Sequence, residues 1–191
     1  MQEGIGVRTD VGRTVVEVIH DEYGNESLEG KFYYRGPWEY GGSPRSVRIH
    51  VNRDETIVFP PQKKSIIHNF SDRNELPDSV LAVYSLEEVL VEKIRAFSGQ
   101  RKFAIARDLF DLYFLSRQDV NIQAAIDAFD SKCRVKGILI TDLSLDRVIA
   151  RKREYSANWN NQLGYLAPKE LQIPFEAAWE NSLNLIRRVI K

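Results

Sequence analysis

The pattern of apolar and polar positions changes character near residue 84. Before it, residues 13–20, 29–34 and 46–52 form short runs rich in Val, Ile, Tyr and Phe, separated by Gly, Asn and Pro, which predicts strands joined by turns. After it, apolar positions recur at helical spacing, and helices are expected over 85–97, 103–117, 122–132, 145–155 and 175–190. The predicted fold class is α+β. A mostly antiparallel or mixed β lobe over 1–84 is followed by a helical lobe over 85–191.

The first helix is the best specified. Ser85 reads as its N-cap with Glu88 three residues later, the spacing of a capping box, and Tyr84 and Val89 stand where a hydrophobic staple would sit. Leu86, Val89, Leu90, Ile94 and Phe97 make its apolar stripe, and Lys93 falls inside that stripe, beside Glu92. An ammonium on a buried face costs several kcal/mol unless it snorkels out or meets a negative partner. The second helix is apolar nearly all round except for a narrow strip of Arg107, Asp108 and Asp111, spaced to lie close together. On spacing alone, Arg107 pairs with Asp111 while Asp108 neutralises Lys93 across the helix packing. Such a buried ion pair serves a fold as readily as a reaction.

Composition narrows the function classes. The 27 basic and 27 acidic residues cancel, so global charge announces neither a nucleic-acid nor a membrane partner. A basic run at Arg147, Arg151, Lys152 and Arg153 is interleaved with Asp142, Asp146 and Glu154, the composition of a solvated face. The single cysteine, Cys133, excludes an internal disulfide and fits a reducing cytoplasm. No apolar run approaches the ~18 residues of a membrane span, so a cytoplasmic protein is expected.

Other candidate chemistry is thin. Gly41-Gly42-Ser43 resembles a phosphate-cradling loop, but a strand-like run follows it where a helix N-terminus would be needed, which favours a hairpin loop. His20, His50 and His68 lack metal-ligand spacing. The run Val47 to Asn52 alternates cleanly, with Arg48, His50 and Asn52 on the side where carboxylates for two-metal chemistry would stand. Asp54 and Glu55 follow, in an expected turn.

The stretch from Tyr84 through Lys93 to Phe97, then Ala106-Arg-Asp-Leu-Phe-Asp-Leu-Tyr-Phe-Leu115, resembles the nucleotidyltransferase-like toxin family AbiEii/AbiGii. Ser46 to Glu55 with Phe59-Pro-Pro61 is similar to the strand and loop preceding that signature, and Trp159, Leu163 and Pro174-Phe175 to the family's end, so the resemblance covers 32–191. It implies a polymerase β-like nucleotidyltransferase lobe joined to a helical lobe, with activity that uses a nucleoside triphosphate and magnesium. It implies Lys93 as the lysine contacting nucleotide phosphates and Asp108 or Asp111 as the motif aspartate. Lys93 and Asp108 are thus the candidate catalytic residues, Arg107 a second cofactor-binding cation, and Arg107, Asp111, Glu92 and His50 supporting residues.

Against the family pattern, the N-terminal Gly-Ser helix and Asp-x-Asp strand are missing and His50 stands at the usual third carboxylate. A truncated member is therefore expected, completed by a separate N-terminal half or a homo-oligomer. The resemblance also implies an antitoxin protein and an RNA among the acceptors; no membrane partner is expected, for want of a spanning apolar run. The alternative expectation is a non-catalytic remnant that binds nucleotide or RNA through Lys93, Arg95, Arg101 and Arg107.

Overall fold

The computed structural model describes residues 7–20, 26–36, 41–52, 55–69, 71, 73–75, 78–101, 103–163 and 168–190. Asp54 lies outside them. The fold is α+β, with antiparallel strands in the N-terminal region followed by helices. The chain divides into two compact units, residues 1–55 and 56–191.

The first unit is built on three strands, β1 (Arg8–His20), β2 (Glu26–Arg35) and β3 (Arg45–Asn52), in the order β1-β2-β3 and all antiparallel. Register sorts the side chains by face. Leu28 lies opposite Val18 and Val51, and Phe32 opposite Val47, so Val16, Val18, Leu28, Phe32, Val47, Ile49 and Val51 share one face. Glu17, Glu29, Lys31 and His50 share the other. Gly41 and Gly42, both at positive φ, belong to the connection from β2 to β3, where Arg35 Nη2 donates to Gly42 O at 2.9 Å. The Gly-Gly-Ser segment therefore joins two neighbouring strands, as the absence of a following helix in the sequence implied.

The second unit opens with a hairpin of β4 (Gln62–Ser65) and β5 (Val80–Val83), then becomes helical: α1 (Leu86–Arg95), α2 (Ala106–Leu115), α3 (Ile122–Asp127), α4 (Phe129–Val135), α5 (Leu145–Ala150), α6 (Lys152–Leu163) and α7 (Phe175–Ile186). The boundary between the compact units falls after residue 55 along the chain, whereas the change of sequence pattern falls at 84. The backbone after residue 55 is tied to helices: Glu88 Oε2 accepts Val58 N–H at 3.0 Å and Phe59 N–H at 2.9 Å, and Lys132 Nζ donates to Thr56 O.

Two expected helices are each two. Ala128 caps α3 at φ −79°, ψ −10°, and Arg151 closes α5 at φ −86°, ψ 0°, a backbone bend that apolar periodicity runs straight across. The last helix ends at Ile186, after which tighter turn bonds from Arg188 and Val189 bring Ile190 into the core. Ser85 caps α1 by accepting Glu88 N–H at 3.2 Å. The expected capping box is only half formed, because the Glu88 carboxylate is taken by Val58 and Phe59.

The core joins α1, α2, α6 and α7 through Leu90, Ile94, Phe97, Leu109, Leu112, Tyr155, Trp179 and Ile186, all essentially inaccessible. Burying each such side chain stabilises by about 1.5–3 kcal/mol. Phe97 sits edge-on to both Tyr155 (5.4 Å) and Trp179 (5.6 Å), the arrangement ring quadrupoles favour. This packing sets α2 against α1 and fixes where the second helix presents its acids.

Candidate active site on the first two helices of the second unit

Past Arg95 the chain widens into a π turn over Ala96–Gln100, and Gly99 at φ 116° reverses it toward α2. A helix needs its first N–H groups satisfied, yet Ile105 at the N-cap of α2 has no side chain to do so. Gln162 of α6 supplies the acceptor, taking Ala106 N–H at 2.8 Å. Asp108 and Asp111, three apart on α2, then meet Lys93 of α1. Lys93 Nζ lies 2.9 Å from Asp108 Oδ1 and 2.6 Å from Asp111 Oδ2.

Burial of these groups is unequal. The Asp108 side chain is 1 % exposed, against 25 % for Lys93 and 39 % for Asp111. Arg101 approaches the second Asp108 oxygen, Nε to Oδ2 at 3.0 Å. Burial works against the Lys93 charge, but attraction and hydrogen bonds from Asp108 and Asp111 outweigh it and raise its pKa. The lysine is therefore a firmly held cation that still reaches solvent.

Sequence spacing paired Arg107 with Asp111, and the structure corrects this. Asp111 turns to Lys93, while Arg107 is exposed, with no ion pair among the described residues. At about 100° per residue Arg107 and Asp111 are about 40° apart round the helix, so spacing allows their pairing, but packing brings the Lys93 ammonium to the Asp111 carboxylate first.

Glu92 belongs to a different cluster. Its Oε1 lies 2.6 Å from Lys132 Nζ, which is 2.5 Å from Glu88 Oε1, and its Oε2 contacts Arg95. Lys132 is 2 % exposed and Glu88 fully buried. Burial alone would raise the Glu92 carboxyl, but the Lys132 hydrogen bond and the Arg95 charge prevail and lower it. Arg95 is buried as well, which removes it from the surface set expected of a nucleotide or RNA binder. Lys132 had no sequence signal of its own, and Glu88 read only as a capping residue.

His50 lies in the first unit, opposite Glu29 in register, with Nε2 3.2 Å from Glu29 Oε2. Glu29 also lies 3.3 Å from Lys31 Nζ, and Glu17 3.8 Å from the same nitrogen, so Lys31 relieves the facing carboxylates. Cys133 is buried with its thiol pushed up to about 11 by burial, the state of an inert core residue. In the basic run, Arg151 pairs with Glu154 and Lys152 with Glu176.

The donor set can be tested against the expected cofactors. Lys93, charged and partly open, fits a phosphate. A magnesium site needs several oxygen ligands. Asp108 and Asp111 are both committed to cations, and among the described residues no three His, Cys, Asp or Glu side chains gather as a metal site. The described residues therefore do not form a magnesium site. No helix among them is long and apolar enough to cross a membrane.

No curated protein and no solved structure matches the chain. The family model for the nucleotidyl transferase AbiEii toxin of type IV toxin–antitoxin systems matches residues 3–181, reaching further toward the N-terminus than the resemblance at 32–191. With nearly the whole chain matched, the protein belongs to the AbiEii nucleotidyl transferase toxin family.

Proposed function

We propose that this toxin-family chain is nucleotidyltransferase-like in action, and that its α1–α2 site receives the triphosphate of a nucleoside triphosphate. The observation that supports this is Lys93, an ammonium held at 2.9 and 2.6 Å by two carboxylates of unequal exposure. Asp108 is sealed and keeps the lysine in place. Asp111 is half in water and can yield its position to a phosphate oxygen. In a partly desolvated site such a fixed cation stabilises phosphate charge better than a solvated one, without reorganising during transfer.

Asp108, with both oxygens beside cations, is better suited to positioning Lys93 than to moving a proton as a helper acid or base. Arg107, exposed on α2, is the outer cation that meets the nucleotide or the acceptor. Magnesium is implied by the family resemblance, and no step is routed through it. An RNA acceptor and an antitoxin partner belong to the same reading, the latter because the family consists of type IV toxin–antitoxin toxins.

A second reading, nucleotide binding without transfer, is favoured by the commitment of both site carboxylates to cations. One experiment separates them. Each of ATP, GTP, CTP and UTP is titrated into the full chain with magnesium, and label from the α-phosphate is followed into total RNA. Binding that weakens about tenfold or more in Lys93→Met, worth ~1.4 kcal/mol or more, together with label transfer, is expected. Binding without transfer supports the second reading, and equal affinity in wild type and Lys93→Met overturns both.

A further inference from the structure

Arg101 leads from the turn at Gly99 toward α2, and its backbone is clamped from outside that segment. Its carbonyl accepts Arg151 Nη1–H at 2.8 Å, and three residues on, Ala104 N–H donates to Glu154 Oε1 at 2.7 Å. Arg151 and Glu154 are themselves paired at 3.0 Å. The Arg151 hydrogen bond, followed by that from Ala104, lowers the Glu154 carboxyl, so the clamp remains charged at neutral pH.

The side chain then meets Asp108 through Nε at 3.0 Å, and neither Arg101 Nε nor Asp108 Oδ2 completes an aligned hydrogen bond. A guanidinium serving only to neutralise a buried carboxylate commonly engages it with its two-pronged fork. Arg101 instead remains 41 % exposed, and among the described residues its two terminal nitrogens have no partner. Asp108 already has Lys93 on its other oxygen. The buried Tyr155 hydroxyl is also without a hydrogen bond among the described residues. Burial pushes it up to about 12, and Arg151, Asp108, Glu154 and Arg101 are the charges that act on it.

We propose that Arg101 is a second phosphate-contacting residue of this site, oriented by Asp108 so that its terminal nitrogens take oxygens of the triphosphate whose other end meets Lys93. This rests on the reading of the α1–α2 site as a triphosphate site. Asp108 is the shared element, with Lys93 on Oδ1 and Arg101 on Oδ2, so one buried carboxylate sets the spacing of two cations. Arginine suits the task because its charge is permanent and its planar fork matches phosphate oxygens.

The test is calorimetric titration of the full chain with whichever of ATP, GTP, CTP or UTP it binds most tightly, with magnesium, comparing wild type, Arg101→Gln, Arg101→Lys and Lys93→Met. Arg101→Gln is expected to lose about tenfold in affinity or more, with a urea midpoint near wild type because Asp108 keeps Lys93. Arg101→Lys retains charge but not the fork, so it should fall between, and it carries the test alone should the glutamine variant not fold. Wild-type affinity in the folded Arg101 variants, with a loss in Lys93→Met, overturns the role of Arg101 and leaves the triphosphate reading standing. Absence of triphosphate binding by wild type removes that reading and this inference with it.

Discussion

Glu92 and Lys93 are neighbours on α1, yet one enters the cluster around Lys132 and the other the cluster of Asp108, Asp111 and Arg101. Both clusters combine two carboxylates with two cations. They differ in access to water: in the first Lys132, Glu88 and Arg95 are sealed and only Glu92 is partly open, while in the second only Asp108 is sealed and Lys93, Asp111 and Arg101 each keep a quarter or more of their side chain in solvent. Moving charges into the interior costs several kcal/mol per ion, offset only while every partner stays in place. The sealed cluster therefore cannot exchange a partner for a ligand, whereas the open one can. Ion pairs that look alike in sequence thus differ in exposure, and the proposed site is the more open set.

The largest expected effect tests that division directly. Lys132→Met leaves Glu88 and Glu92 facing each other without their shared cation, and unfolding in urea should show a loss of about 3–5 kcal/mol. Lys93→Met should lose clearly less, because Asp111 turns to water and Asp108 retains Arg101. Equal losses at the two positions would erase the distinction between the clusters.

The two clusters also differed in how legible they were. Lys93 was found because it interrupts an apolar stripe, and its partner Asp108 because α2 has so narrow a polar strip. Lys132 was hidden. Its helix restarts after the bend at Ala128, so a single fused period assigned it to the end of a longer helix, and no local pattern relates it to Glu88 forty-four residues earlier. Glu88 shows a related limit: Ser85 does accept its N–H, as the capping-box spacing implies, but whether the carboxylate turns back to the cap depends on what else approaches it. Here Val58 and Phe59 do, a contact between segments that sequence spacing does not encode. The helical content and α+β class were legible from periodicity. The split helices and the pairing of Asp111 with Lys93 rather than Arg107 depend on backbone bends and helix rotation, which periodicity averages out.

A smaller effect appears on acidification. Glu92 is lowered by Lys132 and Arg95 despite its burial, so its contribution is full above the unfolded value of ~4.3 and is lost as pH falls through the lower folded value. Glu154, lowered through Arg151 and Ala104, acts in the same direction. Glu92→Gln should therefore destabilise the protein at neutral pH and flatten the acid limb of its stability curve. An acid limb of unchanged steepness would show that other carboxylates carry it.

The smallest stability effect is expected at Asp111, where the two roles assigned to the open cluster pull apart. Its carboxylate is 39 % exposed, and exposed ion pairs contribute 0–1 kcal/mol, so Asp111→Asn should cost less than about 1 kcal/mol at neutral pH. Lys93 is raised by Asp108 and also by Asp111, so its contribution is complete below the unfolded value of ~10.4 and is lost as pH rises through the folded value. Removing Asp111 brings the folded value down, and the alkaline limb should move to lower pH. Triphosphate affinity should move the other way from stability, because a phosphate oxygen no longer has to displace a carboxylate of its own charge from Lys93. A variant that is slightly less stable and binds triphosphate more tightly would mark Asp111 as the exchangeable partner, whereas a parallel loss of both would make it part of the fixed scaffold with Asp108.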